Sequence, residues 1–177
     1  MILDRLFRSE KPAQAAGKAL YAAVVGRARR PVLYEDLGAP DTVEGRFELY
    51  TLHVVLLLDR LRRQGPQAAE TAQALFDTYV KALDDALREM GVGDLSVGKK
   101  MRKLGEAFYG RVKSYEAAFE TLPDAEGLQA LLGRTVYAGY DITQAPRLSR
   151  YVLAERDGLA AQPLARLLEG RVTWASP

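Results

Sequence analysis

LFDTYVKALDDALREMGVGDLSVGKKMRKLGEAFYGRVKSYEAAF, residues 75–119, decides the fold. Ahead of its glycines, Leu75, Phe76, Tyr79, Val80, Leu83, Leu87 and Met90 recur at helical spacing, and behind them Val97, Met101, Leu104, Phe108, Val112, Tyr115 and Phe119 do the same. That spacing lines one face of a helix, whereas a strand would alternate apolar and polar residues. The stretch therefore predicts a long antiparallel hairpin, its third helix over residues 66–90 and its fourth over 97–122. The first stripe is expected to face the second. GVGDLSV is the connector, with Gly91 taking the left-handed cap and Asp94 or Ser96 capping the fourth helix.

The same connector contains GDLSVGKK, residues 93–100, which follows the phosphate-loop pattern through Lys99 and then has Lys100 where a magnesium-binding hydroxyl belongs. Helix formers precede it instead of a strand. It predicts a turn and no nucleotide site.

Working outward, the rest of the chain is also helical in pattern. A first helix is expected over 13–29, stopped by Pro31, followed by a loop, VLYEDLGAP. Asp41 and Glu44 have capping-box spacing for a second helix running to about residue 64, whose wide apolar coverage makes it central. Shorter helices are expected over 123–132, 147–159 and 163–168. The fold class is all-α: a single-domain helical bundle over residues 13–177, organised on the second, third and fourth helices, with a more irregular C-terminal segment. Residues 1–12 form a separate amphipathic segment, where Ile2, Leu3, Leu6 and Phe7 lie beside Arg5, Arg8 and Lys11, a pattern suited to an anionic membrane surface.

Composition narrows the chemistry. The 177 residues include no cysteine and one histidine, which excludes disulfides, thiol catalysis and cysteine-held metals. No cofactor or metal is expected. A net charge of +2 gives no general affinity for DNA. No apolar run approaches the ~18 residues of a membrane span. The N-terminus lacks the apolar core of a secretory signal.

No acid, base and nucleophile converge in the pattern, so the chain reads as a binding protein and not an enzyme. His53 lies beside the apolar stripe of the second helix, a place for a hydrogen-bonded core or rim residue. The sole tryptophan, Trp174, lies near an end expected to fray. Charge is uneven along the hairpin: Lys99, Lys100, Arg102 and Lys103 crowd the start of the fourth helix, while acids dominate the third. Two readings stand for the bases. They pair with the acids across the hairpin, or they bind an acidic partner, RNA or lipid headgroups.

PDTVEGRFELYTLHVVLLLDRLRRQG and AQALFDTYVKALDDALREMGVGDLSVGKKMRKLGEAFYGR together resemble the ubiquinol-cytochrome c chaperone family. The specific points are Asp41-Thr42 with Gly45-Arg46-Phe47, Leu52-His53, the LREMGVGDLSVGKK block and Ala107-Phe108-Tyr109-Gly110-Arg111, with Arg30-Pro31 and Tyr34 upstream. The resemblance implies an assembly factor for respiratory complex III that holds newly made cytochrome b and that, in mitochondria, works with a small partner protein and at the ribosome. It marks Arg46, Phe47, His53, Asp94, Tyr109 and Arg111, with Lys99, Lys100, Arg102 and Lys103, as the candidate partner-binding set. With no long presequence, it implies a bacterial member, cytoplasmic and peripheral at the inner membrane; a eukaryotic one would work in the mitochondrial matrix. The alternative is an RNA- or ribosome-binding module using residues 99–103.

Overall fold

Eight α-helices follow one another in the computed structural model, which describes residues 11–175. They are α1 (Pro12–Ala28), α2 (Pro31–Glu35), α3 (Val43–Leu61), α4 (Pro66–Glu89), α5 (Asp94–Glu120), α6 (Glu126–Arg134), α7 (Ala145–Ala160) and α8 (Leu164–Leu168). Among the described residues there is no strand. The amphipathic reading of residues 1–12 falls almost wholly outside the described residues.

The central element is α3. Every residue from Thr51 to Leu57 is buried, so all sides of this stretch meet protein, and α1, α4, α5 and α7 pack around it. Its N-cap is Thr42, whose Oγ1 accepts the Gly45 N–H at 3.1 Å. This corrects the capping box: Asp41 instead accepts from Arg46 at 2.6 Å. The helix stops at Leu61, short of residue 64, because Arg62 turns to extended backbone and Arg63 takes a positive φ of 60°.

Pro31 does more than end α1. Its fixed φ suits the first turn of a helix, so the segment expected as a loop begins with α2 and buries Leu33 and Leu37. Gly91, at φ 81°, closes α4 as expected, with the Val92 N–H reaching back to Leu87 O at 3.0 Å. The following helix starts three residues before its expected position. Gly93 is its N-cap, and neither Asp94 nor Ser96 supplies a side-chain cap.

The hairpin is real but splayed. Helix α4 packs most extensively on α1, where a Cβ on Gly17 would lie 2.6 Å from the Ala74 carbonyl carbon and the Leu75 nitrogen. Only a glycine allows that approach. With that side of α4 committed to α1, the expected interdigitation with α5 contracts to an aromatic cluster, Phe76 and Tyr79 against Phe108, at ring-centroid distances of 5.1 and 5.4 Å. Of the expected stripe, Met101, Leu104 and Val112 are only half-buried.

Candidate functional site

The splay leaves space. An open groove of about 760 Å³ runs between the end of α3, α4 and α5. Its floor is Leu58, Leu61 and Val112, and its wall is an aromatic ladder: Phe76 lies 5.9 Å from Tyr109, and Phe108 lies 6.0 Å from Tyr109. Tyr109 stands at the mouth, 59% exposed. Arg62 and Arg63 line the rim, Arg62 bonded to Glu116 at 2.9 Å. A second groove, about 540 Å³, lies on the other side of the aromatic cluster, among Tyr21, Phe47, Tyr79, Leu83 and Leu104. Phe47 is half-buried in it, and Arg46 lines it while holding Asp41. An aromatic and apolar surface with charged edges suits an apolar polypeptide segment.

Arg111 belongs to the scaffold. Its guanidinium donates to both carboxylate oxygens of Glu48, at 2.8 and 2.6 Å, tying α5 to α3, and the carboxylate beside it pushes its pKa up. Glu48 is buried, so this fork–fork pair fixes one edge of the hairpin.

At the hairpin tip, Arg88 bonds Asp84 and Asp94, and Lys81 bonds Asp85 at 2.7 Å. Acids of α4 are thus matched within α4 or to the connector. Lys99, Lys100, Arg102 and Lys103 are exposed, and no ion pair or side-chain hydrogen bond among the described residues engages them. Of the two readings of these bases, pairing with acids across the hairpin is not seen among the described residues. Lys99 and Lys100 sit inside α5, and the Ser96 and Val97 N–H groups are already taken by Gly93 O at 2.9 and 3.0 Å. Residues 94–100 are helical, so the backbone does not form the loop that wraps a phosphate chain.

His53 is wholly buried, so it offers no surface to a partner. Its Nδ1 lies 2.7 Å from Leu49 O, a pure acceptor, so Nδ1 carries the proton and Nε2 accepts from the Tyr151 hydroxyl at 2.7 Å. The Tyr151 oxygen in turn accepts from Arg27 Nε at 2.9 Å. Arg27 also donates from Nε to Glu155 at 2.7 Å and from Nη2 to Ala175 O at 2.7 Å, and Glu155 accepts the Ala175 N–H at 2.9 Å. Burial, reinforced by the Arg27 charge, lowers the His53 pKa to about 4, while its bond to Leu49 opposes the shift. The neutral ring satisfies both its nitrogens. Burial likewise raises the Tyr151 pKa, keeping the hydroxyl protonated.

This network fastens the C-terminal segment over the core. Trp174, expected to fray, meets His53 edge to face at 5.4 Å and donates to Ala23 O at 3.2 Å. The charged members were overlooked, though a signal existed: Arg27 falls in register with Leu20 and Val24, and Glu155 with Leu148, Val152 and Leu159. A charge on an apolar stripe marks a buried pair. Among the described residues, no group of His, Asp or Glu could hold a metal ion, and no helix is long and apolar enough to cross a membrane.

Against known proteins, the family described as ubiquinol-cytochrome C chaperone matches residues 35–174. The chain belongs to the ubiquinol-cytochrome c chaperone family. The match covers the first groove, the tip and most of the second groove and buried network, with Tyr21 and Arg27 ahead of it. Ubiquinol-cytochrome-c reductase complex assembly factor 1 of Xenopus laevis is 24% identical over 160 residues, covering 88% of this chain and 78% of that protein. The mouse protein of that name is 28% identical over 140 residues, covering 76% of this chain and 46% of its own length. The crystal structure of the Cbp3 homolog from Brucella abortus is 36% identical, covers 99% of this chain and 97% of that one, and superposes with a TM-score of 0.85.

Proposed function

We propose that this protein is an assembly factor for ubiquinol-cytochrome c reductase, holding newly made cytochrome b in the groove between α4 and α5. Family membership and the names of the relatives support the process. The observation that carries the site is the aromatic ladder beside an open apolar floor, with Tyr109 exposed at its mouth. Residues 13–177 act in this reading as one domain, with residues 1–12 a separate segment. Arg46 and Phe47 contribute the second groove, and His53 and Arg111 act indirectly by holding α3, α5 and α7 in place. The bacterial source of the solved relative supports work at the cytoplasmic face of an inner membrane.

A photo-crosslinking amino acid at position 109 in the full chain, in cells making the reductase, tests this. Crosslinks to cytochrome b are expected. Tyr109→Asp should fold normally, since the side chain is exposed, yet recover at least ~30-fold less cytochrome b, the loss of one aromatic anchor. No crosslink at 109, together with undiminished recovery by Tyr109→Asp, would place the client elsewhere.

A further inference from the structure

The far end of the hairpin combines two features that serve no purpose inside the fold. Leu95 is 102% exposed and Met90 55%, one at each end of the connector, and neither belongs to the core cluster, although Met90 also borders the second groove. Directly behind them stand four cations that nothing in the described structure neutralises. At ~100° per residue, Val97, Leu104, Phe108 and Tyr115 point into the protein from α5, while Leu95, Lys99, Arg102 and Lys103 project from the opposite side. Lys100 flanks them. Glu89 and Glu106 are exposed acids here without a partner, and Arg88 is shared by Asp84 and Asp94, but over residues 99–106 the outer face of α5 carries four bases against Glu106 alone and is basic.

We propose that this tip docks on an anionic phospholipid bilayer, Leu95 and Met90 entering the headgroup boundary while Lys99, Lys100, Arg102 and Lys103 lie among the lipid phosphates. Charge complementarity selects an anionic partner, and the bare leucine selects lipid within that class. RNA would be held through stacking aromatics, and the nearest exposed ring on α5, Tyr109, lies about 21 Å along the helix from Leu95. An interfacial surface needs both halves: apolar side chains for the acyl boundary and bases for the phosphates. The contact sets α5 rising from the membrane with the groove about 21 Å above it. It stands whether or not that groove holds cytochrome b.

The test is flotation of the full chain with phosphatidylglycerol–phosphatidylcholine vesicles and with phosphatidylcholine alone, at low and at about 1 M salt. Binding is expected only to the anionic vesicles and only at low salt. Reversing Lys99, Lys100, Arg102 and Lys103 to Glu should lower partitioning at least a hundredfold, at about fivefold per base, and Leu95→Asp about tenfold, with circular dichroism unchanged in both. Every variant retains residues 1–12, so the difference belongs to the tip. Absence of binding by the wild type overturns the proposal, as does wild-type binding by both variants. Binding of single-stranded RNA lost on charge reversal but indifferent to Leu95→Asp, with vesicle binding equally indifferent to it, would assign the tip to nucleic acid.

Discussion

Replacing Glu155 with glutamine changes one oxygen for one nitrogen in the most buried charge cluster of the protein. Glu155 has no exposed surface and Arg27 is 6% exposed, so Glu155→Gln leaves a guanidinium buried without its counter-ion. The new amide must also turn its NH2 toward either Arg27 or the Ala175 N–H, because both carboxylate oxygens now accept bonds, Oε1 from Arg27 and Oε2 from Ala175. Breaking a buried pair from one side costs about 3–5 kcal/mol, against a total stability on the order of 5–15 kcal/mol. For a chain this long, Tm should fall by roughly 6–20 °C. Urea unfolding followed by circular dichroism gives the magnitude. Trp174, the single tryptophan, reports release of the C-terminal segment, so its fluorescence should change at lower urea than the helical signal does. Arg27→Met combined with Glu155→Leu removes both charges, and should be more stable than the sum of the two single changes by over ~1 kcal/mol. If Glu155→Gln unfolds within ~0.5 kcal/mol of the wild type, or the double change is additive, the pair does not hold the segment as argued.

The His53 pKa, about 4 in the folded protein and 6.5 when unfolded, means that the unfolded chain binds the extra proton first on acidification. Its contribution is complete above about pH 6.5 and is lost as pH falls towards 4, by up to ~3 kcal/mol; His53→Gln should remove that part of the slope, and an unchanged slope would contradict a buried neutral ring. Gly17→Ala should destabilise by about 1–3 kcal/mol despite alanine's better helix propensity, because its Cβ meets the α4 backbone; a gain in stability on chemical denaturation would show that α1 and α4 are not so close. Titration calorimetry with ATP or GTP and Mg²⁺ should give no heat attributable to residues 93–100, whereas stoichiometric binding lost in Lys99→Ala would restore the phosphate-loop reading.

Helix placement was legible in the sequence because it depends on short-range chemistry. Apolar residues three and four apart define a helical face wherever the helix packs, and Gly91 needs only its own backbone freedom to end α4. The resemblance likewise required only residue order. Partners across the bundle were a different matter. Gly17 reads as a weak spot in a helix until Ala74 is seen against it, and that contact, by drawing α4 to α1, is what opens the groove beside α5. Tyr109 and Phe108 are neighbours in the chain, yet one is exposed at a groove mouth and the other is core. His53 and Arg111 carry polar groups that could serve a surface, and only the approach of Tyr151, 98 positions away, and of Glu48, 63 away, turns them inward. Burial and ion pairing are properties of distances between remote segments, and a sequence fixes those distances only through the packing of the whole chain.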